Sequence, residues 1–145
     1  MESPKTIINE LLVEVFNHVL SIEAEALRLR GIKLSMNEIH VLEAIQKTAD
    51  PTMTHLAQRL RVTVGTLTTA MNRLVEKGYA TRYRLEEDKR KVMIALTEKA
   101  DKVLEIHSGF HDEMIDATIA DLHLDEDEVL LESLQNISLY FKNKY

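Results

Sequence analysis

Cysteine is absent from this chain, which removes disulfide scaffolds, thiolate metal sites and cysteine nucleophiles from consideration and fits a reducing compartment. Glycine and proline are scarce, four and two in 145 residues, so long regular helices face few interruptions. No stretch approaches the ~18 apolar residues of a membrane span. The opening MESPKTIINELLVEV is broken by acids and polar residues where a signal peptide needs an unbroken apolar core, so a cytoplasmic protein without a membrane partner is expected. Catalytic signatures are also missing: there is no glycine-rich phosphate loop and no serine in a strained nucleophile turn. Glu86, Glu87 and Asp88 stand in a charged, solvent-directed loop beside cations, where nothing raises a carboxyl for acid catalysis. An enzyme is therefore not expected.

What is present is a folding composition, 45% hydrophobic and 29% charged, at the length of one domain, residues 1–145. The net charge of −6 is unevenly spread. Residues 59–91 hold nine of the eighteen Lys and Arg against four acids, a local +5; the remainder carries nine cations against twenty acids, or −11. A basic segment in an acidic body suits a protein that meets phosphates with one part only.

Apolar residues recur at Ile8, Leu11, Leu12, Val15, Phe16, Val19, Ile22, Ala26 and Leu27, which predicts an amphipathic helix over 5–30 ended by Gly31. Ser35 and Glu38 form a capping box opening a second helix to Lys47, with Ile39, Leu42 and Ile45 inward. Asp50 and Pro51 break the chain, Thr52 to Leu60 reads as a short third helix, and Arg61 and Val62 form a turn. Thr63 caps a fourth helix to Lys77 whose buried face is Leu67, Met71 and Leu74; Gly65, Thr66, Thr69 and Arg73 lie opposite, and Gly78 stops it. The period then changes to two, so Tyr79–Leu85 and Lys91–Leu96 predict a β-hairpin with a wholly charged tip, Glu86–Arg90. Thr97 caps a fifth helix reaching about Leu122, and a sixth is expected from Asp125 with Glu128 in the capping-box position.

Short helix, turn, capped helix and charged hairpin, in that order, give a mainly α fold with a small β-hairpin wing, a winged helix-turn-helix over 35–96. A major groove about 12 Å wide admits one helix by its N-terminal end. The small residues Thr63, Gly65, Thr66 and Thr69 then allow close approach to bases, and Arg73 reaches phosphate. Arg82, Lys89, Arg90 and Lys91 supply wing cations, with Arg90 suited to a narrow minor groove. Asp88 is placed to hold the guanidinium of Arg90 or Arg82. Two copies on successive grooves predict a near-palindromic double-stranded DNA site.

Asp88–Thr97, D-K-R-K-V-M-I-A-L-T, resembles the wing signature of the MarR family of regulators, and LAQRLRVTVGTLTTAMNRLVEKGYATR is similar to its helix-turn-helix. One departure is Ala100, where the family commonly has glycine. The resemblance spans nearly the whole chain and implies a six-helix protomer forming a triangular homodimer, with 5–30 and 97–143 as dimerisation helices. Four segments, V-F-N-H-V-L-S-I-E (15–23), S-M-N-E-I-H (35–40), T-V-G-T-L-T-T (63–69) and I-H-S-G-F-H (106–111), resemble the branch that represses fatty-acid synthesis genes in Gram-positive bacteria. That likeness implies no required cofactor, and a long-chain acyl group on acyl carrier protein as co-repressor. Arg28, Arg30 and Lys33 would meet the acidic carrier, beside the apolar Phe16, Val19 and Ile22. The alternative is a zinc-responsive repressor, since His107 and His111 stand four apart on one helix and His40 with Glu23 would complete a tetrahedral set.

Overall fold

The structure is a computed structural model that describes residues 1–145. It is largely helical with one two-stranded antiparallel sheet. Contacts divide it into two compact units, 1–107 and 108–145.

The first unit opens with α1 (Pro4–Asn9), a π-helical stretch (Glu10–Val15) and α2 (Phe16–Leu29), which follow one another without a break. The π-helical stretch widens the helix, and Phe16 N–H reaches back to Leu11 O. Periodicity alone carries no sign of it. The end of α2 is legible: Gly31 takes φ +75, and the Ile32 and Gly31 amides return to Leu27 O and Arg28 O. Of the apolar face read from the sequence, only Leu27 is buried; Ile8, Leu11, Leu12, Val15, Phe16 and Ile22 are exposed in the single chain. The spacing set the stripe but not what covers it.

Helix α3 (Met36–Lys47) begins with the expected capping box: the Glu38 amide donates to Ser35 Oγ, and the Ser35 amide to Glu38 Oε1. Helix α4 (Met53–Leu60) is capped by Thr52 and ends at Arg61, whose φ of 57 is left-handed and turns the chain sharply toward Thr63. Helix α5 (Val64–Glu76) is capped by Thr63 Oγ1 at the Thr66 amide, and Gly78 at φ +84 stops the chain behind it. Strands β1 (Ala80–Arg84) and β2 (Val92–Leu96) pair with Ala80 opposite Leu96 and Arg84 opposite Val92.

Strict alternation fails in β2, where both Met93 and Ile94 are buried. Met93 bridges to Thr52, and the Ile94 amide donates to Pro51 O, so the outer edge of β2 is held by the residues leading into α4. The core joins Ile39 and Leu42 of α3, Leu56 of α4, Leu67, Met71 and Leu74 of α5, and Ile94. Val103 and Leu104 from the first part of α6 (Glu98–Ala120) complete it.

The second unit contains the rest of α6, a 3-10 turn (Leu124–Glu126) and α7 (Glu128–Lys144). The last helix starts later than Asp125 because Asp127 Oδ1, not Asp125, accepts the Leu130 amide. His123 at φ 51 directs the chain into the 3-10 turn, which consumes the intervening residues. No residue of α7 is buried, although Leu131, Leu134, Ile137, Tyr140 and Phe141 share it.

Leu42 is fully buried at the centre of the first unit. Leu42→Ala should lower unfolding free energy by about 2–5 kcal/mol, read as a reduced urea midpoint at fixed protein concentration.

Candidate nucleic-acid interface

Helix α5 presents two unlike faces. Leu67, Met71 and Leu74 are buried, whereas Gly65, Thr66, Thr69 and Arg73 are exposed, as the sequence requires. Thr63 Oγ1 donates to Thr66 Oγ1 at 3.0 Å while accepting the Thr66 amide, so the first turn is fixed by its own hydroxyls. The Thr69 hydroxyl returns to Gly65 O at 3.4 Å. A cleft of about 580 Å³ runs between this face and α3, lined by Asn37, His40, Val41, Thr66, Thr69 and Arg73.

The far end of α5 is bolted down. Lys77 Nζ donates to Glu38 Oε2 at 3.0 Å and to Lys33 O at 3.3 Å. Lys77 O accepts Lys99 Nζ at 2.8 Å, and Gly78 O accepts Thr97 Oγ1 at 2.7 Å. Glu38 therefore serves two helices, capping α3 and gripping the end of α5. Burial works against its charge, but the Ser35 amide and the Lys77 ammonium more than offset that, and its carboxyl is held below the usual 4.5. Neither Lys77 nor this role of Glu38 was singled out from the sequence, because the partners lie 39 residues apart.

At the wing tip Asp88 Oδ1 accepts both the Arg90 amide and Arg90 Nε at 3.1 Å. These hydrogen bonds lower the Asp88 carboxyl from its ordinary value. The Arg90 side chain is 92% exposed, held at its root and free at its tip. Of the two partners expected for Asp88, Arg90 is the one it takes; Arg82 turns instead to Asn72 Oδ1 on α5. Lys89 and Lys91 are exposed, and Lys89 O accepts Arg84.

The residues expected to hold an effector are scattered in state. Arg28 is tied to Glu25 through two hydrogen bonds of 2.6 and 2.9 Å, which lower that carboxyl. Arg30 and Lys33 are exposed, Val19 is half-buried, and Phe16 and Ile22 are open to solvent. Among the histidines, His107 is buried and bonds Glu43 Oε1 at 2.6 Å through Nε2, which lowers the Glu43 carboxyl despite its partial burial. Glu23 is also buried, and its ligand atom lies within 4.8 Å of that of His107. His111 follows His107 by one turn of α6. His40 corrects the expected set: it is exposed and lines the α3–α5 cleft, while Glu43, which the sequence did not single out, is a further acid at His107.

Residues 34–92 match the family model described as MarR family. The chain is also similar over most of its length to two regulators. The DNA-complexed structure of Streptococcus pneumoniae FabT is 35% identical, with a TM-score of 0.86, covering 97% of this chain and 99% of that one. The HTH-type transcriptional regulator BilQ of Clostridium symbiosum is 30% identical over 112 residues, 77% of this chain and 76% of the relative. The chain belongs to the MarR family. A third relative, the HTH-type regulator YpoP of Bacillus subtilis, is 36% identical over 73 residues, and the match spans only about half of its length, 52%. A MarR-family protomer accounts for the geometry: a transcriptional regulator with a winged helix-turn-helix and long helices on either side of it in sequence.

The lowered Glu38 carboxyl carries a signed consequence. Its contribution to stability is complete above about pH 4.5 and is lost as pH falls through its lower folded-state value. The gap in unfolding free energy between wild type and Glu38→Gln should therefore be largest near neutrality and shrink on acidification below about pH 4.5, measured by urea titration at several pH values.

Proposed function

We propose that this MarR-family chain is a dimeric repressor that binds a near-palindromic duplex and controls fatty-acid biosynthesis genes, with long-chain acyl-acyl carrier protein as co-repressor. The observation that carries the DNA reading is the pairing of the exposed Thr63–Arg73 face of α5 with an arginine at the wing tip, Arg90, rooted by Asp88. Helix and arm together match what a major groove and its neighbouring minor groove admit. The local +5 charge of residues 59–91 supplies phosphate attraction within a chain whose net charge is −6.

Dimerisation is supported by the apolar faces left open on a single chain: Leu11, Leu12, Val15 and Phe16 in the first unit, and Leu134, Ile137 and Phe141 in the second. Faces of this kind mark association surfaces. The fatty-acid assignment rests on the likeness to FabT across nearly the whole chain. Arg30 and Lys33 are exposed and suited to an acidic carrier, and Phe16 and Ile22 to an acyl chain.

A zinc-responsive repressor is the second reading, favoured by the approach of buried Glu23 to buried His107. In that reading Glu43, bonded to His107 Nε2, would orient the imidazole for a metal at its other ring nitrogen.

Two experiments bear on these readings. A duplex selected from a random pool by the wild-type protein should show two related half-sites about one helical turn apart, and its affinity should fall with salt by about 0.9 log units per neutralised phosphate for each tenfold rise. Arg90→Ala should weaken binding to it by about 1–3 kcal/mol at fixed salt; an unchanged affinity would show that the wing does not reach the groove. Titrations of that duplex with protein alone, with long-chain acyl-acyl carrier protein and with zinc then separate the effectors. Tightening by the acyl carrier alone is expected, and tight binding only with zinc would replace it with the metal reading.

A further inference from the structure

We infer that Asn72 is a positioning residue that sets the angle of the wing to α5, and that it does so while leaving the charge of Arg82 uncompensated. The inference rests on the proposal that this chain binds duplex DNA and goes beyond it, since that reading uses Arg82 only as a wing cation and Asn72 not at all.

The two strands of the wing are held in different ways. Strand β2 is fastened to the start of α4 by the Met93–Thr52 bridge and by the Ile94 amide on Pro51 O. Strand β1 leaves α5 at Gly78 with Tyr79 and Ala80 buried in the core, and farther along a crevice of about 400 Å³ opens beside α5, lined by Met53, Thr68, Asn72, Arg82, Tyr83, Arg84 and Val92. Close packing is what ordinarily fixes the angle between two elements; it holds the root of β1 and gives way to the crevice toward the tip. An isolated two-stranded ribbon is itself marginally stable and flexible in twist. Across the gap, Arg82 Nη2 donates to Asn72 Oδ1 at 2.5 Å. Arg82 lies opposite Ile94, the buried residue of β2 that enters the core, so the hydrogen bond acts at the point where the ribbon is anchored and its lean is decided.

The acceptor is an amide, not a carboxylate. An Asp or Glu in place of Asn72 would hold the guanidinium more strongly but cancel its charge. The amide fixes Arg82 and keeps a full positive charge beside the exposed face of α5. The wing thus treats its arginines differently: Arg90 is rooted by an acid and projects outward, and Arg82 is held by a neutral group and acts through position and charge.

A thermodynamic cycle on the selected duplex tests this with the full-length protein, using wild type, Asn72→Ala, Arg90→Ala and the double variant. Asn72→Ala should weaken binding between about threefold and about thirtyfold, and in the Arg90→Ala background its effect should fall to within about twofold, because a misdirected arm has already lost its contact. Asn72→Asp should restore the dependence on Arg90 but reduce the slope of log affinity against log salt by about one. Equal losses from Asn72→Ala in both backgrounds would overturn the inference, as would Asn72→Asp behaving like Asn72→Ala. Thermal unfolding of each variant guards against general destabilisation; should Asn72→Ala unfold, Arg82→Lys, which keeps the charge but loses the guanidinium's reach, takes its place in the cycle with the same expected non-additivity. If no duplex is selected from the pool, the DNA reading itself fails and the inference falls with it, an outcome distinct from additivity on a duplex that binds.

Discussion

Burial of a single stripe on α5 governs the geometry of everything that could meet a ligand. Leu67, Met71 and Leu74 occupy the centre of the core against Ile39, Leu42 and Leu56, and each is essentially inaccessible to solvent. Rotating the helix by one residue would expose these side chains and turn Thr66 and Arg73, or Thr68 and Asn72, inward, a double penalty of hydrophobic exposure and buried polar or charged groups. The outward direction of Gly65, Thr66, Thr69 and Arg73 is thus a consequence of the core. Lys77, Glu38 and Thr97 then fix the other end, so the helix is constrained in rotation by apolar packing and in tilt by charged and polar bonds.

Charge in this chain works by placement more than by amount. A chain with an overall −6 can favour phosphates only if its cations are gathered, and the segment from Arg59 to Lys91 gathers half of them. Several are not free to wander. Arg84 bonds Lys89 O, Arg82 bonds Asn72, Arg90 is rooted by Asp88, and Lys77 is committed to Glu38. Pre-placing a long side chain lowers the rotamer entropy lost when it later contacts a partner. In exposed surroundings the ion pairs themselves add little to stability, so ordering is the more telling consequence of the Asp88–Arg90 contact.

Features encoded within three or four residues were legible in the sequence. The capping box at Ser35, the caps at Thr52 and Thr63, and the left-handed glycines at Gly31 and Gly78 stand as their local chemistry dictates. Asp127 shows the limit of that reasoning: Asp125 and Asp127 are equally good caps, and the choice falls to a left-handed His123 and a 3-10 turn that no propensity announces. Pairings across elements were not legible. Glu43 with His107, Asn72 with Arg82 and Lys77 with Glu38 join residues far apart in sequence, each of a type that is usually solvated, and only the folded core brings them together. The charge pattern marked a candidate segment, while the pairings within it needed coordinates.

The same contrast explains why the flanking helices read so clearly as amphipathic yet stay bare. An apolar stripe states that something covers it, without saying whether the cover is the same chain or another. In the winged unit the cover is internal, and its core closes around α3, α4, α5 and β2. In α7 none is, since no residue of that helix is buried. At about 25 cal/mol per Å² of apolar surface, stripes bearing Leu134, Ile137 and Phe141, or Leu11, Leu12 and Phe16, leave several kcal/mol of burial energy unrealised in a lone chain. Under the proposed dimer that energy resides in association, so the reading unit keeps its own internal stability while the spacing of two such units is decided by the helices around it. An effector lodged among Phe16, Val19 and Ile22 would then act on spacing and leave the structure of the reading helix unchanged, because the fully buried core residues of that unit come from other elements.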